Sequence, residues 1–99
     1  MIPFSRQAAK QLAQLRDHYE ALDRLDAVRN LAIAVQEAST TIQRDPAGGL
    51  TAPRPYPQLA KPGRTWVKAG RYWIAYVAVP RLLITGIFYD AADIPRRIE

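Results

Sequence analysis

The sequence contains no cysteine, a single histidine and no acidic residue between positions 46 and 89. Without cysteine there is neither a disulfide nor a thiolate metal site, so stability has to come from apolar packing. His18 lies among helical residues without a matching serine motif, so we interpret it as a solvated side chain rather than a general base. The composition therefore argues against metal-dependent or nucleophilic catalysis, and we expect no cofactor.

Long apolar runs are also missing. No uncharged apolar segment approaches the roughly 20 residues that a membrane-spanning helix needs. The first six residues lack the continuous apolar stretch of a secretory signal. We expect a cytoplasmic protein without membrane contact. A length of 99 residues suits one domain, residues 1–99, with a single thin core.

The net charge of +5 is unevenly distributed along the chain. Residues 1–45 balance six basic side chains against six acidic ones, whereas residues 46–89 carry six basic side chains and no acid. Such a basic half attracts an acidic protein or a nucleic acid with salt-sensitive affinity. Charge alone agrees equally well with a basic face that only promotes solubility.

Apolar spacing predicts two helices in the N-terminal half. From Ser5 to Leu22 apolar residues recur every three or four positions, which is typical of an amphipathic helix, and Ser5 is its expected N-cap. A second helix begins near Asp26 and ends near Arg44, because Pro46 disfavours helical geometry at the residue before it. The short link between them predicts an antiparallel hairpin.

A proline-rich connection and three strands follow. Residues 46–64 contain five prolines and three glycines, which predicts a long ordered or semi-ordered connection. Residues 72–79 are rich in Trp, Tyr, Val and Ile, which favours a central strand covered on both faces. Tight turns are expected at Gly70-Arg71 and around Pro80-Arg81. Gly86 indicates a bulge, or a close approach by another backbone, in the last strand.

These elements predict an α+β fold in which the antiparallel helical hairpin packs on a small, mainly antiparallel sheet of three to four strands. The fourth strand would come from residues 1–4, where Pro3 permits only weak pairing at an edge. An open edge in so small a protein is a place where a partner's strand can add.

Aromatic side chains in the basic half admit two interpretations. Exposed rings could stack on nucleobases while neighbouring bases hold phosphates. Strand alternation, however, divides the central strand into two faces, of which at least one must be core. Tyr89, at the end of the last strand, is the best exposed candidate, and Asp90 and Asp93 are interpreted as turn and capping residues. The two faces are Tyr72, Ile74 and Tyr76 on one side, and Trp73, Ala75 and Val77 on the other.

Two segments carry a resemblance to a known family. Residues 70–76, Gly-Arg-Tyr-Trp-Ile-Ala-Tyr, resemble the central strand of the ParE/RelE superfamily of toxins. Residues 84–95, where Ile-Thr-Gly-Ile-Phe-Tyr is followed by Asp-Ile-Pro, are similar to the close of the last strand in its ParE branch. Phe4-Ser5-Arg6 and Tyr19 fit the opening of the family, so the resemblance covers nearly the whole chain.

The resemblance implies a toxin of a type II toxin–antitoxin system, closer to ParE. Toxins of that branch are associated with DNA gyrase as their target, which they inhibit by binding. They are kept silent by a ParD-like or other antitoxin in a hetero-oligomer. The implied protein is not an enzyme and makes no sequence-specific contact with nucleic acid. A chain of this kind that has lost toxicity and survives as a binding module is a further possibility.

The RelE branch implies a different activity, ribosome-dependent cleavage of mRNA, and is the alternative. Tyr89, Lys68 and Arg71 would then be the catalytic residues. The chain departs from that pattern because Trp73 stands where RelE-like chains have an arginine, and alanines follow the last strand. Candidates for contact with the target or the antitoxin are Arg64, Lys68, Arg71, Arg81, Tyr89, Arg96 and Arg97.

Overall fold

A computed structural model describes residues 2–98 of the chain. The fold is α+β, with two N-terminal helices followed by a three-stranded antiparallel sheet, which confirms the predicted class. Within residues 2–98, neither long helix has the apolar length that crossing a membrane would take. The elements are α1 (Arg6–Ala21), α2 (Leu25–Arg44), a 3-10 turn (Pro57–Leu59), β1 (Thr65–Ala69), β2 (Tyr72–Val77), β3 (Leu83–Tyr89) and α3 (Ile94–Arg97).

The helix boundaries follow local chemistry. The Ser5 side chain accepts a hydrogen bond of 3.0 Å from the Ala8 amide, which confirms the predicted N-cap of α1. A three-residue link then leads into α2, and Asp23 in that link has a φ of 56°. Arg24 precedes α2 and pairs with Asp26 at 3.1 Å on the surface. The residues that α2 buries share one face: Ala27, Leu31, Ala34, Val35, Ala38, Ser39 and Ile42.

The sheet has the strand order β1-β2-β3, so β2 is the central strand, as predicted. Ala75 lies opposite Gly86 and Tyr76 lies opposite Ile84, which leaves Thr85 as an extra residue in a β-bulge. The bulge predicted near Gly86 is therefore confirmed. The group that approaches Gly86 is a side chain rather than a backbone, because an added Cβ would lie 2.6 Å from the Phe88 ring.

The predicted fourth strand is reduced to a single bridge. Phe4 pairs with Ile84 in parallel, and no further ladder extends from it within the described chain. The Ile84 amide donates to the Pro3 carbonyl at 3.0 Å, and the Ile84 carbonyl accepts from the Ser5 amide at 2.8 Å. Pro3 has no amide to contribute, and helix α1 begins at once, so pairing stops there. Met1 lies outside the described residues.

Each face of the sheet has its own cover. Helix α1 packs on β3 and α2 packs mainly on β1, which defines the helix face. The opposite side, which we call the loop face, is covered by residues 46–64 and by α3. The predicted alternation in β2 is confirmed, because Tyr72, Ile74 and Tyr76 belong to the helix-face core. The loop-face core consists of Trp66, Trp73, Ala75, Phe88 and Ile94, with Leu50, Tyr56, Leu59 and Ile98 packed against it.

The proline-rich segment is held to the sheet at defined points. The hydroxyl of Tyr76, which is fully buried, donates to the Pro46 carbonyl at 2.7 Å. Leu50 and Trp66 exchange two backbone hydrogen bonds of 2.8 Å at the outer edge of β1. An added Cβ at Gly49 would lie 2.8 Å from the Tyr76 hydroxyl, so the segment can approach this closely only with glycine there. The connection is therefore ordered.

We expect Tyr76→Phe to lower the free energy of unfolding by about 1 to 2 kcal/mol, because it leaves the Pro46 carbonyl without its buried donor. Urea unfolding at neutral pH measures this change. Tyr56→Phe is the matched control, since its hydroxyl lies 3.5 Å from the Ala92 carbonyl and should contribute little. Equal losses in both variants would contradict the assigned anchor.

Candidate functional site

Three tyrosines from different elements meet at the end of β3. Tyr72 and Tyr89 lie opposite each other across β2 and β3, with ring centroids 5.9 Å apart in an edge arrangement. The hydroxyls of Tyr72 and Tyr19 share a hydrogen bond of 2.7 Å. Burial raises the pKa of Tyr72 far above its ordinary value, and the bond to Tyr19 adds to the effect. Tyr72 is therefore a neutral phenol that links α1 to the sheet.

Two basic side chains and one carboxylate complete this group. Arg71 donates to the Tyr89 hydroxyl at 3.3 Å, and its guanidinium lies 5.6 Å from the Tyr89 ring centroid. Asp90 Oδ2 lies 3.4 Å from Arg71 Nε and 3.5 Å from Lys68 Nζ. The turn at Gly70, where φ is +55°, positions Arg71 beside the end of β3. We call this group the Tyr89 cluster: Tyr19, Lys68, Arg71, Tyr72, Tyr89 and Asp90.

A groove of about 730 Å³ runs between α1 and β3 beside the cluster. Leu15, Ile87 and Phe88 provide its apolar part. The Ile87 amide turns toward α1 and donates to Gln11 Oε1 at 2.9 Å. Beyond the Phe4 bridge no further strand lies beside β3 within the described chain, so this side of the sheet is an edge.

The groove is polar and basic at its rim. Lys10 and His18 from α1 and Arg97 from α3 line it, and the described residues that line it include no acid. Tyr19 and Tyr89 line both this groove and a second cavity of about 410 Å³ that also contacts Arg71 and α2. Tyr19 and Tyr89 therefore lie between two adjoining depressions, and Tyr89 is part of the lining of each.

The structure brings some of the predicted site residues together and separates others. Lys68, Arg71 and Tyr89 share one cluster, and Arg97 lies in the adjoining groove. Arg81 lies in the loop before β3, whereas Tyr89 is at the far end of that strand.

Two further candidates have local partners. Arg64 is half-buried: it donates to the Leu59 carbonyl and packs over Trp66, and burial lowers the pKa of its guanidinium. Arg96 pairs with Asp93 at 3.3 Å on the surface. Arg64 is thus part of the loop-face packing, while Arg96 remains exposed.

Sequence reasoning missed three members of the cluster. The sequence predicts Tyr19 as a residue of the first helix and Tyr72 as a residue of one strand face. Neither prediction indicates that each contributes a hydroxyl to the site. Asp90 does lie in a turn, but its carboxylate binds Lys68 and Arg71. Its place next to Tyr89 was visible in the sequence. The missing information was the register that brings the turn at Arg71 beside it.

Metal chemistry finds no support in this region. Among residues 2–98 there is no group of three or more His, Cys, Asp or Glu side chains that could hold a metal ion.

No family model matches this chain, and no curated protein sequence matches it. Function is therefore inferred from the fold, the Tyr89 cluster and the groove.

We expect the free energy of unfolding to fall as pH rises above about 10, the ordinary pKa of tyrosine. The pKa of Tyr72 is raised in the folded state, so the unfolded chain loses this proton first and unfolding becomes more favourable at high pH. Below about pH 10 this contribution to stability is fully present. Urea unfolding from neutral pH to pH 11 should show a shallower decline in Tyr72→Phe than in the native chain. A decline that is unchanged in Tyr72→Phe would contradict the assigned role of Tyr72.

Proposed function

We propose that this chain is a ParE-type toxin of a type II toxin–antitoxin system that inhibits DNA gyrase by binding it. A ParD-like or other acidic antitoxin would silence it in a cytoplasmic hetero-oligomer. The observation that carries this proposal is the groove of about 730 Å³ beside the edge of β3, basic at its rim and adjoining Tyr89. A helical hairpin on an antiparallel sheet, the fold observed, is also what the resemblance of residues 70–76 and 84–95 implies.

The groove suits a segment of an acidic partner. An extended segment in the groove would pack against Leu15, Ile87 and Phe88 rather than add a strand, because Gln11 and Pro3 already accept from the Ile87 and Ile84 amides. Lys10 and Arg97 would face the carboxylates of such a segment across the groove. Gln11 and Gln14 supply further side-chain donors and acceptors along α1.

The way an antitoxin would neutralise the toxin follows from the position of Tyr89, which lines the groove and also contacts Arg71. Arg71 exposes 68% of its side chain next to Tyr89, so the two form an accessible polar and aromatic patch. Such pairs are frequent at the centres of protein interfaces. A partner segment in the groove would contact Tyr89 and obstruct access to this patch. Antitoxin and gyrase would therefore compete for one end of the sheet.

The RelE-like endoribonuclease is the second candidate, because Tyr89, Arg71 and Lys68 are neighbours in space. A phenol beside two cations can assist attack by a ribose hydroxyl and stabilise the charge that develops. Two observations favour binding over catalysis. Asp90 contacts both cations and offsets their charge. Trp73, at the position of the RelE arginine, is buried on the loop face.

We expect purified wild-type chain to inhibit supercoiling by DNA gyrase, and Arg71→Glu to weaken that inhibition at least about tenfold, or about 1.4 kcal/mol. Arg81→Glu is the matched control at the opposite end of β3 and should stay within about twofold, because it lies outside the patch. Tyr89→Phe should retain most of the inhibition, since the ring is kept.

The same proteins are assayed for cleavage of mRNA on ribosomes. Cleavage by the wild type that Tyr89→Phe abolishes, together with unimpeded gyrase, would overturn the proposal in favour of the RelE-like alternative. A folded chain that neither inhibits gyrase nor cleaves mRNA, and whose expression leaves growth unaffected, would indicate a binding module without toxicity.

We expect Lys10→Glu to weaken the complex with the antitoxin at least about tenfold, because it puts an acid at the rim of the groove facing an acidic partner. Arg16→Glu reverses a charge on the same helix outside the groove and should change affinity by less than about twofold. Titration calorimetry with a ParD-like antitoxin measures both. Equal weakening by the two variants would place the antitoxin elsewhere.

A further inference from the structure

The two faces of the sheet differ in charge. Residues 2–45, which include both long helices, carry six basic and six acidic side chains, whereas residues 46–64 and 93–97, which cover the loop face, carry five basic side chains and one acidic one. Because the helices cover one face and residues 46–64 with α3 cover the other, an asymmetry along the chain becomes an asymmetry across the molecule. The loop face is the positive side.

Two cations of the loop face converge on one indole ring. The Arg54 guanidinium lies 5.8 Å from the Trp73 ring centroid, and Lys68 Nζ lies 5.5 Å from it. Arg54 comes from the proline-rich segment and Lys68 from β1, so two different elements each place a positive charge next to the Trp73 ring. Contact with an indole holds a long cationic side chain in place. A positioned cation loses less side-chain entropy when it meets an anion.

The indoles themselves are unavailable to a ligand. Trp66 is fully buried and Trp73 is 3% exposed. Single-stranded nucleic acids are held largely by bases stacked on exposed rings, and this face offers no such platform at either tryptophan. A DNA duplex needs only cations placed to meet its regularly spaced phosphates.

We propose that the loop face binds double-stranded DNA through its phosphates without reading sequence. This binding does not depend on the toxin assignment, because it uses cations away from the groove between α1 and β3. Arg54 and Lys61 on the proline-rich segment and Arg96 on α3 are exposed, and we assign the phosphate contacts to them. Asp93 is the acid that opposes them most directly, since it pairs with Arg96 at 3.3 Å.

The test measures the affinity of the full chain for a short labelled random-sequence duplex by fluorescence anisotropy at several salt concentrations. For the three contacts from Arg54, Lys61 and Arg96, log affinity should fall with log salt at a slope of about −2.7, or about 20-fold between 50 and 150 mM. The triple variant Arg54→Gln, Lys61→Gln, Arg96→Gln should lose at least about tenfold in affinity and most of this salt dependence.

A matched triple variant in the helix layer carries the same change in net charge. Arg6→Gln, Arg16→Gln and Arg29→Gln replace exposed side chains of α1 and α2. This variant should keep the slope and stay within about twofold of the native affinity. Equal weakening by the two triple variants would overturn the proposal, because it would show that only net charge matters. Absence of duplex binding by the native chain at 50 mM salt would overturn it as well.

A variant expected to bind the duplex more tightly complements the loss-of-binding variants, because misfolding would lower affinity rather than raise it. Asp93→Asn removes the carboxylate that pairs with Arg96, so Arg96 is released for phosphate and duplex binding should tighten by about threefold or more. Unchanged or weaker binding would contradict the proposal. Tighter binding to single-stranded DNA or RNA of equal length, or to polyglutamate, would replace duplex DNA by that class of ligand.

Discussion

The structure depends on the burial of β2 on both faces and both edges. Each of its side chains from Tyr72 to Tyr76 is enclosed, and each face serves a different layer. Tyr72 binds Tyr19 of α1, and Tyr76 holds the proline-rich segment at Pro46. Trp73 on the opposite face receives two cations. A shift of one residue in strand register would exchange these two faces. The Tyr89 cluster, the hydrogen bond from Tyr76 to Pro46 and the basic loop face would then all be lost.

Asp90 affects both the stability of the Tyr89 cluster and the positive potential at its surface. It follows β3 directly, and its single negative charge offsets part of the positive charge of Lys68 and Arg71. A carboxylate in that place lowers the electrostatic cost of gathering Lys68 and Arg71 next to Tyr89. It also reduces the positive potential available to a phosphate, which favours a surface that binds through shape and aromatic contact at this end. The more strongly basic surface lies on the other side of the sheet, near Arg54.

The fold was largely predictable because its signals are local. The periodicity of residues 5–22, the N-cap at Ser5 and the break before Pro46 each act within a few residues, and each was confirmed. The site was predictable in part. Tyr89 and Arg71 stood out as an exposed ring and a base at a turn. The sheet has three of the three to four predicted strands, because pairing beyond the Phe4 bridge competes with the immediate start of α1, a balance that propensities do not resolve.

The sequence by itself determined the number and type of elements, the central position of β2 and the concentration of positive charge after residue 45. These follow from apolar spacing, from proline and from counting, all of which act along the chain. Tertiary structure alone decided that Tyr19, Tyr72 and Tyr89 meet, that Asp90 joins Lys68 to Arg71, and that the cover of the loop face is basic. Such contacts join residues distant in sequence, and they depend on strand register and on which layer covers each face.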